Sequence, residues 1–179
     1  MALRIPSRFT PRGLQSTSFT ALAATLLASS PAMAHWPEPP SSVAFESPFG
    51  TLTVETSEYV YESRLYLNNK PIRPALQGLL DISYVYDLKD AHAALVAVSD
   101  GNPQCPVRYH WVVLKRNSYT VSPAFGSCSQ QIKVSSKGAR HIVATPSAQS
   151  AGQVDVYIYY DNRIEQYKRA ATPGELEMK

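Results

Sequence analysis

One of the four histidines in this chain stands at a position that suits metal chemistry. If a signal peptide is removed after Ala34, His35 becomes the first residue, and its α-amine and imidazole can together chelate copper(II). Nitrogen ligands of this kind suit copper, and one more imidazole would complete a site with three nitrogens. The candidate partners are His92, His110 and His141. The pattern therefore raises copper binding at His35 as one hypothesis for this protein.

The residues around these histidines favour a second interpretation, in which the N-terminus is unanchored. The proline-rich stretch 36–40 follows His35 and predicts an extended leader, whereas a preorganised site needs its ligands on rigid elements. His110 lies in the predicted strand 107–115, on one face with Val112 and Leu114. A histidine on such an apolar face is typical of a hydrogen-bonded core residue.

Motifs of catalysis are missing from the sequence. It has no Gly-x-Ser-x-Gly, no His-Glu-x-x-His and no glycine-rich phosphate loop. Asp81, Asp87, Asp100 and Asp155 could pair across strands, but any all-β protein supplies such carboxylates. We therefore expect a protein that acts by binding rather than catalysis, with no cofactor unless copper binds at His35.

The first 34 residues predict export from the cytoplasm. Three arginines precede an apolar run at 19–28, and Ala32 and Ala34 occupy the positions that a signal peptidase reads. Cleavage after Ala34 would leave a periplasmic or secreted chain in an oxidising compartment. In that setting Cys105 and Cys128, the only two cysteines, most simply form one disulfide, with free or reactive thiols as the alternative.

The charge balance excludes two classes of partner. Three of the 17 Lys and Arg lie before residue 35, and the remaining 14 equal the 14 Asp and Glu, so the exported part is formally neutral. Its cations do not cluster beyond adjacent pairs, which argues against nucleic acid and anionic membranes. No apolar stretch after residue 34 reaches 18 residues, so we expect no membrane insertion.

Alternating β-branched and aromatic residues between turn signals predict an all-β fold. The predicted strands are 51–56, 59–67, 82–88, 93–99, 107–115, 119–122, 131–135, 141–145, 154–160 and 164–168. Their links are too short for crossover helices, which indicates an antiparallel meander forming a small barrel or sandwich. We expect a signal peptide at 1–34, an extended leader at 35–45, one all-β domain at 46–169 and a loose tail at 170–179.

Tyrosines suggest a binding surface. All eleven follow residue 34, and alternation places Tyr84 with Tyr86 on one face and Tyr157 with Tyr159 on one face. Val154, Val156, Ile158 and Tyr160 form the more apolar face of the last of these strands, so Tyr157 and Tyr159 are expected to point away from the core. Exposed tyrosines offer large contact area at small entropy cost, although tyrosine also favours strand interiors.

Residues 49–129 resemble a recurrent, uncharacterised domain of secreted bacterial proteins. The resemblance is carried by four segments: 49–52, 67–74, Cys105-Pro106 with Tyr109-His110-Trp111-Val112, and Ser122-Pro123-Ala124-Phe125-Gly126-Ser127-Cys128-Ser129. It implies that Cys105 pairs with Cys128 and that the protein belongs to the envelope of a Gram-negative bacterium. It implies no activity.

We therefore expect a periplasmic, non-enzymatic protein that binds another protein of the cell envelope. Small exported β-domains of this size include inhibitors of cell-wall lytic enzymes and immunity proteins against periplasmic toxins, which is an analogy of size and class. The alternatives are a copper-binding protein that uses His35 and an accessory envelope protein without a separable activity.

Overall fold

Short links join successive strands, so that each sheet is built from strands that are consecutive in the sequence. The computed structural model describes residues 39–57 and 62–176. Within them the strands form three antiparallel sheets of four strands, and none closes into a barrel. The predicted all-β, antiparallel class is confirmed. Among the same residues, no helix has the length and apolar character needed to cross a membrane.

The strands of each sheet follow one another in space as they do in the chain. The N-terminal sheet contains β1 (Ala44–Ser47), β2 (Gly50–Thr56), β3 (Ser63–Leu67) and β4 (Lys70–Pro71). The central sheet contains β5 (Leu79–Leu88), β6 (Ala91–Ser99), β7 (Arg108–Lys115) and β8 (Ser118–Val121). The C-terminal sheet contains β9 (Lys133–Lys137), β10 (Arg140–Pro146), β11 (Gln153–Tyr160) and β12 (Arg163–Ala170), and the short helix α1 (Pro173–Leu176) follows it.

Asparagine and aspartate make the tight turns that the sequence predicts. Asn68 and Asn69 connect β3 to β4 with φ angles of 50° and 62°, and Asp161 and Asn162 connect β11 to β12 with φ angles of 48° and 57°. Two successive residues with positive φ twist a two-residue hairpin in the direction of its strands. Asparagine and aspartate tolerate positive φ, and they therefore allow the tight turns that connect successive strands.

The central sheet is covered on both faces. On one face, Val96 of β6 and Val112 of β7 pack against Leu52 of the N-terminal sheet. On the other face, Leu95 and Trp111 pack against the C-terminal sheet. The core therefore consists of two apolar layers, and the central sheet contributes to both of them.

A β-bulge in β5 changes which face its side chains join. The pairing of β5 with β6 shifts register between Ile82 and Tyr84. Leu80 and Ile82 belong to the layer against the N-terminal sheet, whereas Tyr84 and Tyr86 pack into the layer against the C-terminal sheet. Strict alternation would have placed all four on one face, so the bulge supplies aromatic rings to one layer and aliphatic side chains to the other.

Each of the ten predicted strands overlaps a strand of the structure, and residues 59–61 of the second predicted strand lie outside the described residues. Two strands were not predicted, β1 and β4. The first begins at Ala44, inside the expected leader 35–45, and pairs with β2. The tail also differs, because Ala170 ends β12 and α1 follows within the segment expected to be loose.

The predicted disulfide between Cys105 and Cys128 is confirmed. Cys105 lies in the connection from β6 to β7, and Cys128 lies in the connection from β8 to β9, 23 residues later. The bond therefore ties the start of β7 to the segment that leads from the central sheet to the C-terminal sheet.

Replacing both cysteines by alanine should destabilise the protein. Closing a loop of this length restricts the unfolded chain, and its loss is expected to lower the free energy of unfolding by about 3 kcal/mol. Urea denaturation of the oxidised protein and of the double variant measures the difference. Equal unfolding free energies would show that the bond contributes nothing to stability.

Candidate functional site

The C-terminal sheet turns one face away from the central sheet, and this outer face is largely apolar along its middle. Strand pairing places Ile142 opposite Ile158, and Ala144 opposite Val156. Val156 also has a neighbour on the next strand, because Tyr167 of β12 lies opposite it. The edge strands add mainly charged side chains to the same face. These are Lys133 and Lys137 on β9, and Arg163, Glu165 and Arg169 on β12.

Part of this face is covered by residues 171–175, which we call the C-terminal latch. Val154 and Val156 are only 1% and 2% exposed, and Ala171 of the latch packs against their cluster. Glu175 accepts hydrogen bonds from Arg169 at 2.8 and 2.9 Å, and its Oε1 lies 3.7 Å from Nζ of Lys133. Because Arg169 belongs to β12 and Lys133 to β9, the carboxylate links the two edges of the sheet across its outer face.

Glu175 is held as a carboxylate. The Arg169 guanidinium, followed by hydrogen bonds from the backbone and hydroxyl of Thr172, lowers the pKa of Glu175 to about 2 against the opposing effect of burial. Both Thr172 hydrogen bonds are 2.9 Å long and end on Oε2. The latch is thus fastened by charge-assisted hydrogen bonds at neutral pH.

The rest of the outer face is open to solvent. Ile142 and Ile158 are half-buried, while Tyr160 and Tyr167 are 52% and 48% exposed. The guanidinium of Arg140 lies over the Tyr160 ring, 5.7 Å from its centroid. We call Ile142, Ile158, Tyr160 and Tyr167 the open patch.

The rim of the open patch is positively charged. Lys137 and Arg140 lie on its β9–β10 side, and Arg163 and Glu165 lie on β12. All four are exposed, and three of them are cations. Aromatic and apolar groups within a cationic rim fit the general composition of protein interfaces, in which tyrosine and arginine are enriched.

The prediction that Tyr157 and Tyr159 point away from the core is wrong. Both are 5% exposed and belong to the apolar layer against the central sheet. Tyr157 packs on Phe125 with ring centroids 5.4 Å apart, and Tyr159 packs on Trp111 at 6.0 Å. Burial raises the pKa of Tyr157 to about 12.

Tyr84 and Tyr86 also face this inner layer, so the four predicted tyrosines do not form an exposed binding row. Both are half-buried and packed against the core. The error has a physical cause: the more apolar face of β11 is the outer one, and the latch covers part of it. The exposed tyrosines that sequence reasoning missed are Tyr160 and Tyr167. One signal in the sequence could have identified Tyr160 as part of this face: it alternates in phase with Val154, Val156 and Ile158.

The three possible imidazole partners of His35 do not meet. His92 packs on Phe45 and Phe49 beside the N-terminal sheet, and His110 contacts the carbonyl of Ser122 at 2.9 Å. His141 lies in the opposite layer, on Trp111. The described residues contain no group of three or more His, Cys, Asp or Glu that could hold a metal ion. His35 itself lies outside the described residues.

Neighbouring tyrosines provide a test of these orientations. Tyr159→Ser should lower the free energy of unfolding by about 3–5 kcal/mol, as expected for deleting a large buried aromatic side chain. Tyr160→Ser should lower it by only about 1 kcal/mol, because this ring is half exposed and loses chiefly its cation–π contact with Arg140. Urea denaturation of both variants decides the matter. Equal losses would contradict the assignment of inner and outer faces.

The latch should open in acid. Because the pKa of Glu175 is lowered from 4.5 to about 2, its stabilisation is complete above pH 4.5 and is lost as the pH falls toward 2. Glu175→Gln should weaken the latch at neutral pH by about 1.5–3 kcal/mol, the contribution of hydrogen bonds to a charged group.

Hydrogen exchange of the Thr172 amide, which donates to Glu175, reports the state of the latch. The protection of this amide, measured against the exchange rate of an unfolded peptide at the same pH, should fall in acid for the wild type and should already be low at neutral pH for Glu175→Gln. Exchange that is equally slow in both proteins at neutral pH would contradict this account.

No protein-family model, curated protein or solved structure matches this chain. The resemblance of residues 49–129 to a secreted bacterial domain therefore stays a prediction.

Proposed function

We propose that this protein is an exported, non-enzymatic binding module that docks through its open patch on an acidic surface of another cell-envelope protein. An inhibitor of a lytic enzyme or an immunity protein is the form of this activity that suits its size and class. The observation that carries the proposal is the pair Tyr160 and Tyr167, about half exposed beside Ile142 and Ile158.

The rigidity of the open patch supports a binding role. Tyr160 lies on β11 and Tyr167 on β12, so both project from a hydrogen-bonded sheet rather than from a loop. Tyrosine loses little conformational entropy when it is bound, because it has two rotatable side-chain bonds. A partner would therefore meet a preorganised surface, which lowers the entropic cost of association.

Charge complementarity supports an acidic partner. Lys137, Arg140 and Arg163 outnumber the acidic groups Glu165 and Asp161 around the open patch by one positive charge. Acidic side chains on the partner would pair with this rim and steer the encounter. The cations number only three at this site, which suits a protein surface better than a phosphate backbone.

Export is supported by two independent features. The first 34 residues have the charge, apolar run and Ala-x-Ala pattern of a signal peptide. Cys105 and Cys128 are bonded, and disulfides persist in oxidising compartments such as the periplasm. A partner in the same compartment is therefore part of the proposal.

Replacing both exposed tyrosines should weaken capture of the partner while leaving the fold intact. The disulfide-bonded protein is immobilised, a periplasmic extract is passed over it, and retained proteins are quantified by mass spectrometry. Tyr160→Ser/Tyr167→Ser should weaken retention at least tenfold, about 1.4 kcal/mol. Arg140→Glu/Arg163→Glu should also weaken it, and salt should reduce retention by the wild type because it screens exposed charges.

Leu79→Ser is the matched control, because Leu79 is 45% exposed on the central sheet and outside the open patch. It should retain the partner as the wild type does. The proposal fails if no partner is retained stoichiometrically. It also fails if the double tyrosine variant retains the partner as well as the control, or if the partner's contact surface is not acidic.

A further inference from the structure

The C-terminal sheet ends at β12, and among the described residues no further strand pairs with its far side, which we call the free edge. All eight residues of β12 pair with β11 in one unbroken register. The strand contains no proline and no bulge, two features with which proteins commonly keep other strands from adding to an exposed edge. The free edge is therefore a candidate interaction surface, because an extended chain can add to it as one more strand.

The other edge strands of the described residues are less available. Four of them, β1, β4, β8 and β9, have two to five residues each. The fifth, β5, is longer, but its pairing is interrupted by the bulge between Ile82 and Tyr84. The Ile82 N–H also donates a hydrogen bond to the carbonyl of Ser42 at 2.9 Å, so part of that edge is already occupied.

Alternate residues of β12 direct their backbone groups to the free edge. In a two-residue hairpin the residues that flank the turn bond to each other, so the backbone of Arg163 faces β11. At the other end the Ala171 N–H donates to the carbonyl of Gly152 at 2.9 Å, so odd-numbered residues face β11 there as well. The even-numbered residues therefore point to the free edge, and within the part of the chain that the structure describes their N–H and C=O groups have no backbone partner. These residues are Ile164, Gln166 and Lys168.

The side chains of β12 are complementary to those of a second β12. When two copies pair antiparallel in a continuous sheet, residues that lie opposite each other share a face. A two-fold axis at Tyr167 places Glu165 of each copy opposite Arg169 of the other, and the two Tyr167 rings side by side. Opposite charges and aromatic pairs in these positions stabilise a sheet.

The neighbouring registers oppose like charges. An axis at Gln166 would place Arg163 of each copy opposite Arg169 of the other, and an axis at Lys168 would place that lysine opposite itself. Like charges directly opposite each other destabilise paired strands. The register centred on Tyr167 is also the one in which the even-numbered backbone groups of one copy meet those of the other.

Arg169 can bind a second carboxylate while it holds the latch. Its Nη1 donates to the Ala170 carbonyl and to Glu175, and its Nη2 donates to Glu175. A guanidinium has five N–H donors, and these three bonds leave two of them for Glu165 of the second copy.

We propose that two copies of this chain pair through β12 in the register centred on Tyr167. The product is a two-fold symmetric dimer in which the two four-stranded C-terminal sheets form one continuous sheet. Because the axis is perpendicular to the sheet, both outer faces lie on the same side and the two open patches join into one larger surface. The dimer forms from this chain alone, so the proposal does not rest on the function proposed above.

Sedimentation velocity of the purified, disulfide-bonded protein tests the proposal. The wild type should change from monomer to dimer as its concentration rises from micromolar to millimolar, and salt should weaken the dimer because it screens the charge pairs. A protein that stays monomeric throughout this range overturns the proposal. That result is also the one expected if the free edge serves a strand of a different protein.

Gln166→Pro should weaken the dimer at least tenfold. Proline removes the N–H that points to the free edge, whereas the pairing of β12 with β11 does not use this N–H. Circular dichroism should show an unchanged fold. If this variant does not fold, Glu165→Arg takes its place, because the new arginine would lie opposite Arg169 of the second copy and should also weaken the dimer at least tenfold.

Ser136→Pro is the matched control, on the opposite edge strand of the same sheet. Lys137 and Arg140 flank the two-residue turn between β9 and β10, so the N–H of Ser136 also points away from its neighbouring strand. This variant should dimerise like the wild type. Equal dimer affinity of Gln166→Pro and Ser136→Pro would overturn the proposal.

Hydrogen exchange locates the interface in the wild type. The amides of Gln166 and Lys168 should be protected at a concentration that favours the dimer and unprotected at one that favours the monomer. The Ser136 amide should exchange alike at both concentrations. A dimer that leaves the exchange of Gln166 and Lys168 unchanged would show that the copies associate through another surface.

Discussion

The central sheet has no face left for solvent, and the arrangement of the other two sheets depends on this constraint. Consecutive residues of β6 and β7, such as Leu95 and Val96 or Trp111 and Val112, are completely buried although they point in opposite directions. Two separate surfaces must cover them, because one sheet can pack against only one face. The N-terminal and C-terminal sheets supply these surfaces, and the disulfide ties the connection between β6 and β7 to the segment leading into β9.

The two layers differ in chemistry because of the bulge in β5. The layer against the N-terminal sheet is mainly aliphatic, with Leu52, Leu65 and Ile82 among its members. The opposite layer collects aromatic rings, and Trp111 sits at its centre beside Tyr86 and Tyr159. His141 lies in this aromatic layer, where its ring packs against those of Trp111, Tyr86 and Tyr159.

The C-terminal sheet packs one face against the central sheet, so its other face points outward. That face still carries valines and isoleucines, and the chain protects only part of it. The latch covers the end with Val154 and Val156, and Glu175 fastens it to both edges of the sheet. The other end, with Tyr160 and Tyr167, stays uncovered. An apolar strip that is covered at one end and open at the other, within a cationic rim, is the physical basis of the docking role proposed above.

The sequence by itself determined the class of the fold, because period-two alternation and the Asn, Asp and Gly turns act locally. Each of the ten predicted strands overlaps a strand of the structure, and the pairing of Cys105 with Cys128 followed from there being two cysteines. The sequence also showed correctly that Tyr157 shares a face with Tyr159. Only the tertiary structure decided which way that face points. Residues 154–157 of β11 are all buried, and its outer face is the more apolar one, so alternation cannot identify the face that meets the central sheet. The choice depends on Trp111, more than forty residues earlier, and on the latch that follows β12. The bulge in β5 and the position of His141 among three rings depend in the same way on contacts between distant strands, which no local pattern encodes.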